Sequence, residues 1–117
     1  MRNYRPKIFV SYTIRDGIID IEFLLSIERR MKGFGEPFID LIHNDSLDKQ
    51  ARVINELVNS DIFILLKTQE TLSSKWVKKE VSLANKIQIP ILEFEYVQFR
   101  KENFQYITKA ISNIQHC

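Results

Sequence analysis

The run Ile62–Leu66 (Ile-Phe-Ile-Leu-Leu) is the stretch that most constrains how this chain can fold. It lies between Asp61 and Lys67 and has no polar residue on either face. A strand whose two faces are both apolar is typical of a parallel sheet that is covered by helices on both sides. We therefore expect residues Asp61–Lys67 to form a buried strand of such a sheet.

Three further short apolar runs predict strands of the same sheet. They are Lys7–Tyr12, Glu36–Asp40 and Gln88–Phe94. Pro37 lacks a backbone N–H, so the second strand is expected at an edge of the sheet or to begin at that residue. The segment Tyr96–Arg100 is compatible with either a fifth strand or a loop.

Segments with helical spacing of apolar residues separate these strands. The predicted helices are Ile18–Lys32, a helix after the polar loop Leu41–Ser46, Ser73–Ile87 and Lys101–Gln115. Asp45 or Ser46 is expected to cap the second of them. The apolar face of that helix is expected to comprise Leu47, Ala51, Ile54, Leu57 and Val58.

This alternation of strands and helices predicts the fold class. Parallel strands joined by helices pack through right-handed crossovers, with helices on both faces of the sheet. The expected fold is an α/β, flavodoxin-like, three-layer α/β/α sandwich with a parallel sheet of four or five strands. The 117 residues suffice for a single domain, 1–117.

Glu80 does not fit the pattern of its own helix. Trp76 and Val77 precede it by about one turn, and Leu83 and Ala84 follow it by one turn, so a carboxylate lies within an apolar arc. Such a group is either a structural acid with a partner or a reactive group in a pocket. In sheets of this class, ligands bind at the carboxyl ends of the strands, and the helix of Glu80 starts from that edge.

Composition excludes several classes of function. The net charge is +2 and the basic residues are scattered, which argues against a nucleic-acid partner. No apolar run is long enough to span a membrane. No phosphate-binding glycine loop and no metal-ligand spacing is present, so no metal and no bound cofactor are predicted. The single cysteine, Cys117, and the lack of an apolar leader predict a cytoplasmic protein.

Four short motifs occur in order along the chain. They are Phe9–Tyr12 (Phe-Val-Ser-Tyr), Phe38–Asp40 (Phe-Ile-Asp), Asn59–Asp61 before the third strand, and Ser74-Lys75-Trp76 with Glu80 four residues after the tryptophan. Together they resemble a Toll/interleukin-1 receptor (TIR) domain, most clearly over residues 7–94. The Ser-x-Trp-x-x-x-Glu piece is the most specific of the four.

The resemblance implies one of two functions. Some TIR domains cleave NAD+ at the nicotinamide–ribose bond, releasing nicotinamide with ADP-ribose or a cyclic derivative, in bacteria as part of antiphage defence or signalling. In those, Glu80 would be the catalytic acid, and the pocket that binds the substrate NAD+ would include Ser11, Tyr12, Arg15, Asp40 and Trp76. Other TIR domains are scaffolds that self-associate or bind other TIR domains.

Each pocket residue also has a purely structural alternative. Trp76 can be a core residue, and Asp40 can cap a loop or helix. Ser11 and Tyr12 can satisfy backbone groups, and Arg15 can be a solvated surface charge. His43 is expected to be exposed and is given no role.

Overall fold

The computed structural model describes residues 5–15, 17–33 and 35–96. Within these ranges the strands are β1 (Lys7–Ser11), β2 (Glu36–Phe38), β3 (Ile62–Lys67) and β4 (Ile91–Glu95). The helices are α1 (Ile21–Met31), α2 (Asp40–His43), α3 (Lys49–Val58) and α4 (Lys75–Lys86), and a 3₁₀ turn, Thr71–Ser73, precedes α4.

The four strands form one all-parallel sheet in the order β2-β1-β3-β4. Phe9 pairs with Phe38 of β2 on one side and with Phe63 of β3 on the other. This is the strand order of flavodoxin-like sheets, so the predicted fold class is confirmed. Pro37 lies in the edge strand β2, as its missing N–H predicts.

Two apolar cores lie on opposite faces of the sheet. One packs Ile8, Val10, Ile62 and Ile64 against Leu24 and other residues of α1. The other packs the stacked rings of Phe9 and Phe63 against α3 and α4. Alternate residues of β1 and β3 thus enter different cores, which explains why both strands are almost continuously apolar.

The predicted apolar face of α3 is wrong at every position except Leu57. Val53 and Leu57 are the buried residues of this helix, whereas Ile54 and Val58 are 39% and 45% exposed. Leu47 precedes the helix and is fully exposed. The pair Val53 and Leu57 and the pair Ile54 and Val58 both have helical spacing, and only the first pair packs against the sheet.

The connection from β2 to α3 also differs from the prediction. β2 ends at Phe38, and Asp40 to His43 form the short helix α2 where a loop was expected. Asp48, and neither Asp45 nor Ser46, caps α3 by accepting a hydrogen bond of 3.0 Å from the backbone N–H of Ala51.

His43 was expected to be exposed, which is wrong. Its side chain is 23% exposed, and its Nδ1 accepts a hydrogen bond from the backbone N–H of Ile39 at 2.9 Å. Because Nδ1 is an acceptor, Nε2 carries the proton and donates to Glu28 of α1. This ring therefore connects the end of β2 to α1.

The predicted helix Lys101–Gln115 and most of the segment Tyr96–Arg100 lie outside the described residues. Among the residues that are described, none of the helices combines the length and the hydropathy that crossing a bilayer requires.

Candidate functional site

The candidate site lies at the carboxyl ends of β1 and β3, the neighbouring strands whose connections leave in opposite directions. The chain goes from β1 to β2 on one side, and from β3 to β4 on the other. Diverging connections open a crevice at this point in sheets of this class. Ser11 ends β1 here, and α4 starts from the loop that follows β3.

Glu80 is directed at this edge from the buried side of α4. Ser74 caps the helix by accepting a hydrogen bond from the backbone N–H of Val77, which fixes where α4 begins. Glu80 is 5% exposed, and its Oε1 accepts a hydrogen bond of 2.8 Å from the Ser11 hydroxyl. Among the described residues, no basic side chain forms an ion pair with it.

This environment raises the pKa of Glu80 to about 7. Burial has the largest effect, because it removes water from the charged form. The Ser11 hydrogen bond acts in the opposite direction, the negative charge of Asp40 raises the pKa, and hydrogen bonding by Trp76 lowers it. At neutral pH the carboxyl group therefore exchanges between its protonated and ionised forms.

A small cleft of about 100 Å³ lies next to two residues that act on the pKa of Glu80, although Glu80 itself does not line it. Asp40 and Trp76 line it, together with Lys49, Gln50 and Val53 of α3. Trp76 is half-buried, and Lys79 Nζ lies 5.6 Å from the centre of its ring. We call this space the Asp40–Trp76 cleft.

Tyr12 connects β1 to the segment that carries Asp40. Its hydroxyl oxygen accepts a hydrogen bond of 2.9 Å from the backbone N–H of Leu41. Burial, followed by the nearby charges of Asp40 and Glu80, raises the pKa of this phenol to about 12, although the hydrogen bond from Leu41 lowers it. Tyr12 is thus neutral at physiological pH and holds α2 against the end of β1.

Arg15 lies apart from the cleft. It is exposed, and its Nη1 donates to the backbone carbonyl of Ser73 at 3.3 Å, at the start of α4. Ser11 also differs from its expected role, since its hydroxyl is buried and directed at Glu80. Of the six predicted site residues, the structure therefore brings four, Ser11, Tyr12, Asp40 and Trp76, near Glu80 and leaves Arg15 at the rim.

Three residues that line the cleft were not predicted from the sequence. Lys49, Gln50 and Val53 belong to α3, which follows β2 and packs beside α4 on the same face of the sheet. Their proximity to Trp76 follows from the strand order, which no local pattern encodes. Within the described ranges, no group of three or more His, Cys, Asp or Glu side chains could hold a metal ion.

Comparison with models of known protein families and with curated proteins gives no match for this chain.

Proposed function

We propose that this protein cleaves the bond between nicotinamide and ribose in NAD+, with Glu80 as the catalytic carboxylate. The observation that carries the proposal is the state of Glu80: it is 5% exposed, has no basic partner among the described residues, and lies at the carboxyl edge of β1. A structural acid buried to this degree is normally paired with a cation. A buried acid with a strongly raised pKa is characteristic of a functional site.

The chemistry suits a single carboxylate. Breaking an N-glycosidic bond develops positive charge on the ribose. The ionised Glu80 can stabilise that charge and accept hydrogen bonds from the ribose hydroxyls. The pyridinium nitrogen of NAD+ already carries a positive charge, so nicotinamide departs with the bonding electron pair as a neutral molecule, without a general acid. Water then bonds to the ribose carbon and loses a proton, which gives ADP-ribose, or a nucleophilic atom of the substrate itself bonds there, which gives a cyclic product.

The neighbouring residues have distinct roles in this proposal. Ser11 is a positioning residue, because its hydroxyl fixes the carboxylate from the buried side. Trp76 offers an aromatic face for the nicotinamide ring. The cleft is smaller than the roughly 300 Å³ of the smallest usual ligand pockets. Substrate entry therefore requires Trp76 or the segment 40–46 to move.

A non-catalytic scaffold that binds other TIR domains is the second candidate. Two exposed leucines favour it: Leu41 in α2 is 49% exposed, and Leu47, just before α3, is fully exposed. Leu41 begins the segment 41–46 and Leu47 follows it, and both would be buried if this segment contacted a second domain. The two functions are compatible, because such a contact would also position Asp40.

A product assay tests the enzymatic proposal. The purified protein is incubated with NAD+ at low and high protein concentration, and nicotinamide, ADP-ribose and cyclic products are separated by chromatography. We expect nicotinamide release that Glu80→Gln lowers by about two to three orders of magnitude, as removal of a transition-state charge contact does.

The matched control is Glu22→Gln, which makes the same chemical change on the exposed first turn of α1. It should retain full activity. Equal turnover by Glu80→Gln and the wild type would exclude Glu80 as the catalytic group. Concentration-dependent self-association without any release of nicotinamide would favour the scaffold.

A further inference from the structure

A second, larger depression adjoins the Asp40–Trp76 cleft. It runs between α3 and α4, has a volume of about 700 Å³, and is lined by Ala51, Ile54 and Val58 from α3 and by Trp76 and Lys79 from α4. We call it the α3–α4 groove. Ile54 and Val58 are four residues apart, so they form one apolar row along the groove.

This apolar row is in addition to the one that α3 buries. Val53 and Leu57 already attach the helix to the sheet, whereas Ile54 and Val58 stay 39% and 45% exposed. The row is thus not required for packing within the described part of the chain. Its position next to the candidate site suggests that a ligand covers it.

The groove and the cleft are adjacent. Trp76 and Gln50 line both of them, so the indole separates the two spaces. If a substrate's sugar lies beside Glu80, the part of the substrate beyond Trp76 lies in the groove. From Gln50 to Val58, α3 extends the groove by about 12 Å, the rise of eight helical residues.

Two lysines near Trp76 offer positive charge to an anion between the two spaces, although Asp40 also lines the cleft. Lys49 lines the cleft and Lys79 lies against the indole, and among the described residues neither forms an ion pair. Lys49 Nζ donates to the neutral carbonyl of Asn44 at 2.6 Å, so its charge is not compensated there. Asp48 also lines the groove, and its carboxylate is engaged as the cap of α3.

We propose that the α3–α4 groove binds the adenosine half of NAD+, with the diphosphate between Lys49 and Lys79 and the adenine on Ile54 and Val58. This rests on the proposed cleavage of NAD+ at Glu80. A dinucleotide has this succession of parts: a sugar at the reacting bond, then a diphosphate, then a flat base whose faces are apolar. Gln50 carries an amide that can hydrogen-bond the ligand where the spaces meet.

The first experiment compares NAD+ with nicotinamide mononucleotide, which has the scissile bond and lacks the adenosine half. The double variant Ile54→Gln/Val58→Gln removes the apolar row at exposed helical positions. We expect it to raise KM for NAD+ by about tenfold, the effect of losing a few tens of Å² of apolar contact, with kcat unchanged. Cleavage of the mononucleotide should not change.

Leu25→Gln is the matched control, because Leu25 is 41% exposed on α1, which packs on the opposite face of the sheet. It should leave both substrates unaffected. An unchanged KM for NAD+ in the double variant, or equal kcat/KM for the two substrates in the wild type, would overturn the proposal. Loss of self-association in the double variant, with KM unchanged, would identify the groove as an interface between copies of the chain.

A second experiment does not depend on catalysis. Trp76 is the only tryptophan of the chain, so its fluorescence reports on both spaces. AMP should change this fluorescence in the wild type, and the double variant should need about tenfold more AMP for the same change. If the protein does not cleave NAD+, this titration still decides: a response that is absent, or equal in both proteins, excludes an adenosine site.

Discussion

The Ser11 hydroxyl donates a hydrogen bond of 2.8 Å to Oε1 of Glu80, which joins the end of β1 to the middle of α4. The two residues are 69 positions apart, so the pair exists only when the sheet is assembled. Burial raises the pKa of this carboxyl, and the hydroxyl partly offsets that effect. Asp40 acts in the same direction as burial. The ionisation of Glu80 is therefore set by two neighbours with opposite effects on its pKa: Ser11 lowers it and Asp40 raises it.

Removing one neighbour at a time should shift the pKa of Glu80 in opposite directions. Ser11→Ala deletes a hydrogen bond to the charged form, so the pKa should rise above about 7. Asp40→Asn deletes a nearby negative charge, so the pKa should fall below that value. The shifts can be followed by ¹³C NMR of labelled glutamate side chains, which does not require activity.

The pH dependence of nicotinamide release provides a second readout of the same shifts. If the ionised carboxylate is the active form, kcat/KM should increase with pH and level off above about 7 in the wild type. The midpoint should move up in Ser11→Ala and down in Asp40→Asn. If the midpoint moved in the same direction in both variants, the opposite effects assigned to Ser11 and Asp40 on the pKa of Glu80 would be contradicted.

Glu80→Gln should stabilise the protein at pH 8. The pKa of Glu80 is about 7 in the folded state against an ordinary value of 4.5, so the folded state binds the proton more tightly. The free energy of unfolding should fall as pH rises from 4.5 to 7, by roughly 3 kcal/mol in total. Gln has no such cost, because it stays neutral.

Urea denaturation at pH 4.5 and pH 8 measures this difference. The variant should exceed the wild type in free energy of unfolding at pH 8 and approach it at pH 4.5. Glu22→Gln, at an exposed position, should follow the wild type at both values. A Glu80→Gln protein that is less stable than the wild type at pH 8 would contradict the assigned burial and pKa.

Neighbouring residues of α3 should differ sharply in their effect on stability. Leu57 is 0% exposed, so Leu57→Ala should lower the free energy of unfolding by about 2–5 kcal/mol. Val58 is 45% exposed, so Val58→Ala should have an effect of no more than about 0.5 kcal/mol. Thermal and urea unfolding of both variants checks this. Similar losses would mean that α3 is rotated about its axis from the orientation described.

The cap of α3 can be tested with two aspartates. Asp48→Ala removes the acceptor for the backbone N–H of Ala51 and should cost about 1 kcal/mol of stability. The carboxylate of Asp45 is almost fully exposed and interacts with Arg52 at 3.4 Å, so Asp45→Ala should be nearly neutral. A larger loss in Asp45→Ala would assign the cap to the position expected from the sequence.

The strands were predictable because a continuous apolar run indicates a strand that is buried on both faces. The helical face of α3 was not, because the rows Val53–Leu57 and Ile54–Val58 are both apolar. Periodicity identifies a helix, and it does not identify which of two apolar rows contacts the sheet. Helix α2 was missed because four residues are too few for a periodic signal.

The site shows the same division between local and long-range information. Glu80 was identifiable from sequence, since a carboxylate in an apolar helical arc conflicts with its neighbours. From the sequence, Ser11 and Glu80 could be predicted to lie at the same carboxyl edge of the sheet, but their hydrogen bond could not be predicted. Lys49 and Gln50 line the cleft because α3 packs beside α4. This packing follows from the strand order, in which α3 connects β2 to β3 across β1.

The start of helix α2 depends on two side chains for its backbone hydrogen bonds, one from its own last residue, His43, and one from Tyr12 after β1. Ile39, the residue before it, offers no side-chain cap, so the N–H groups of Ile39 and Leu41 are satisfied by the His43 ring and the Tyr12 hydroxyl. The position of Asp40 at the cleft thus depends on the imidazole of His43 and the phenol of Tyr12, and neither ring has to contact a ligand for this effect. A Phe in place of either ring would keep the size and apolar contacts of the side chain but would leave one backbone N–H without an acceptor. The connection between β2 and α2 would then be held less tightly.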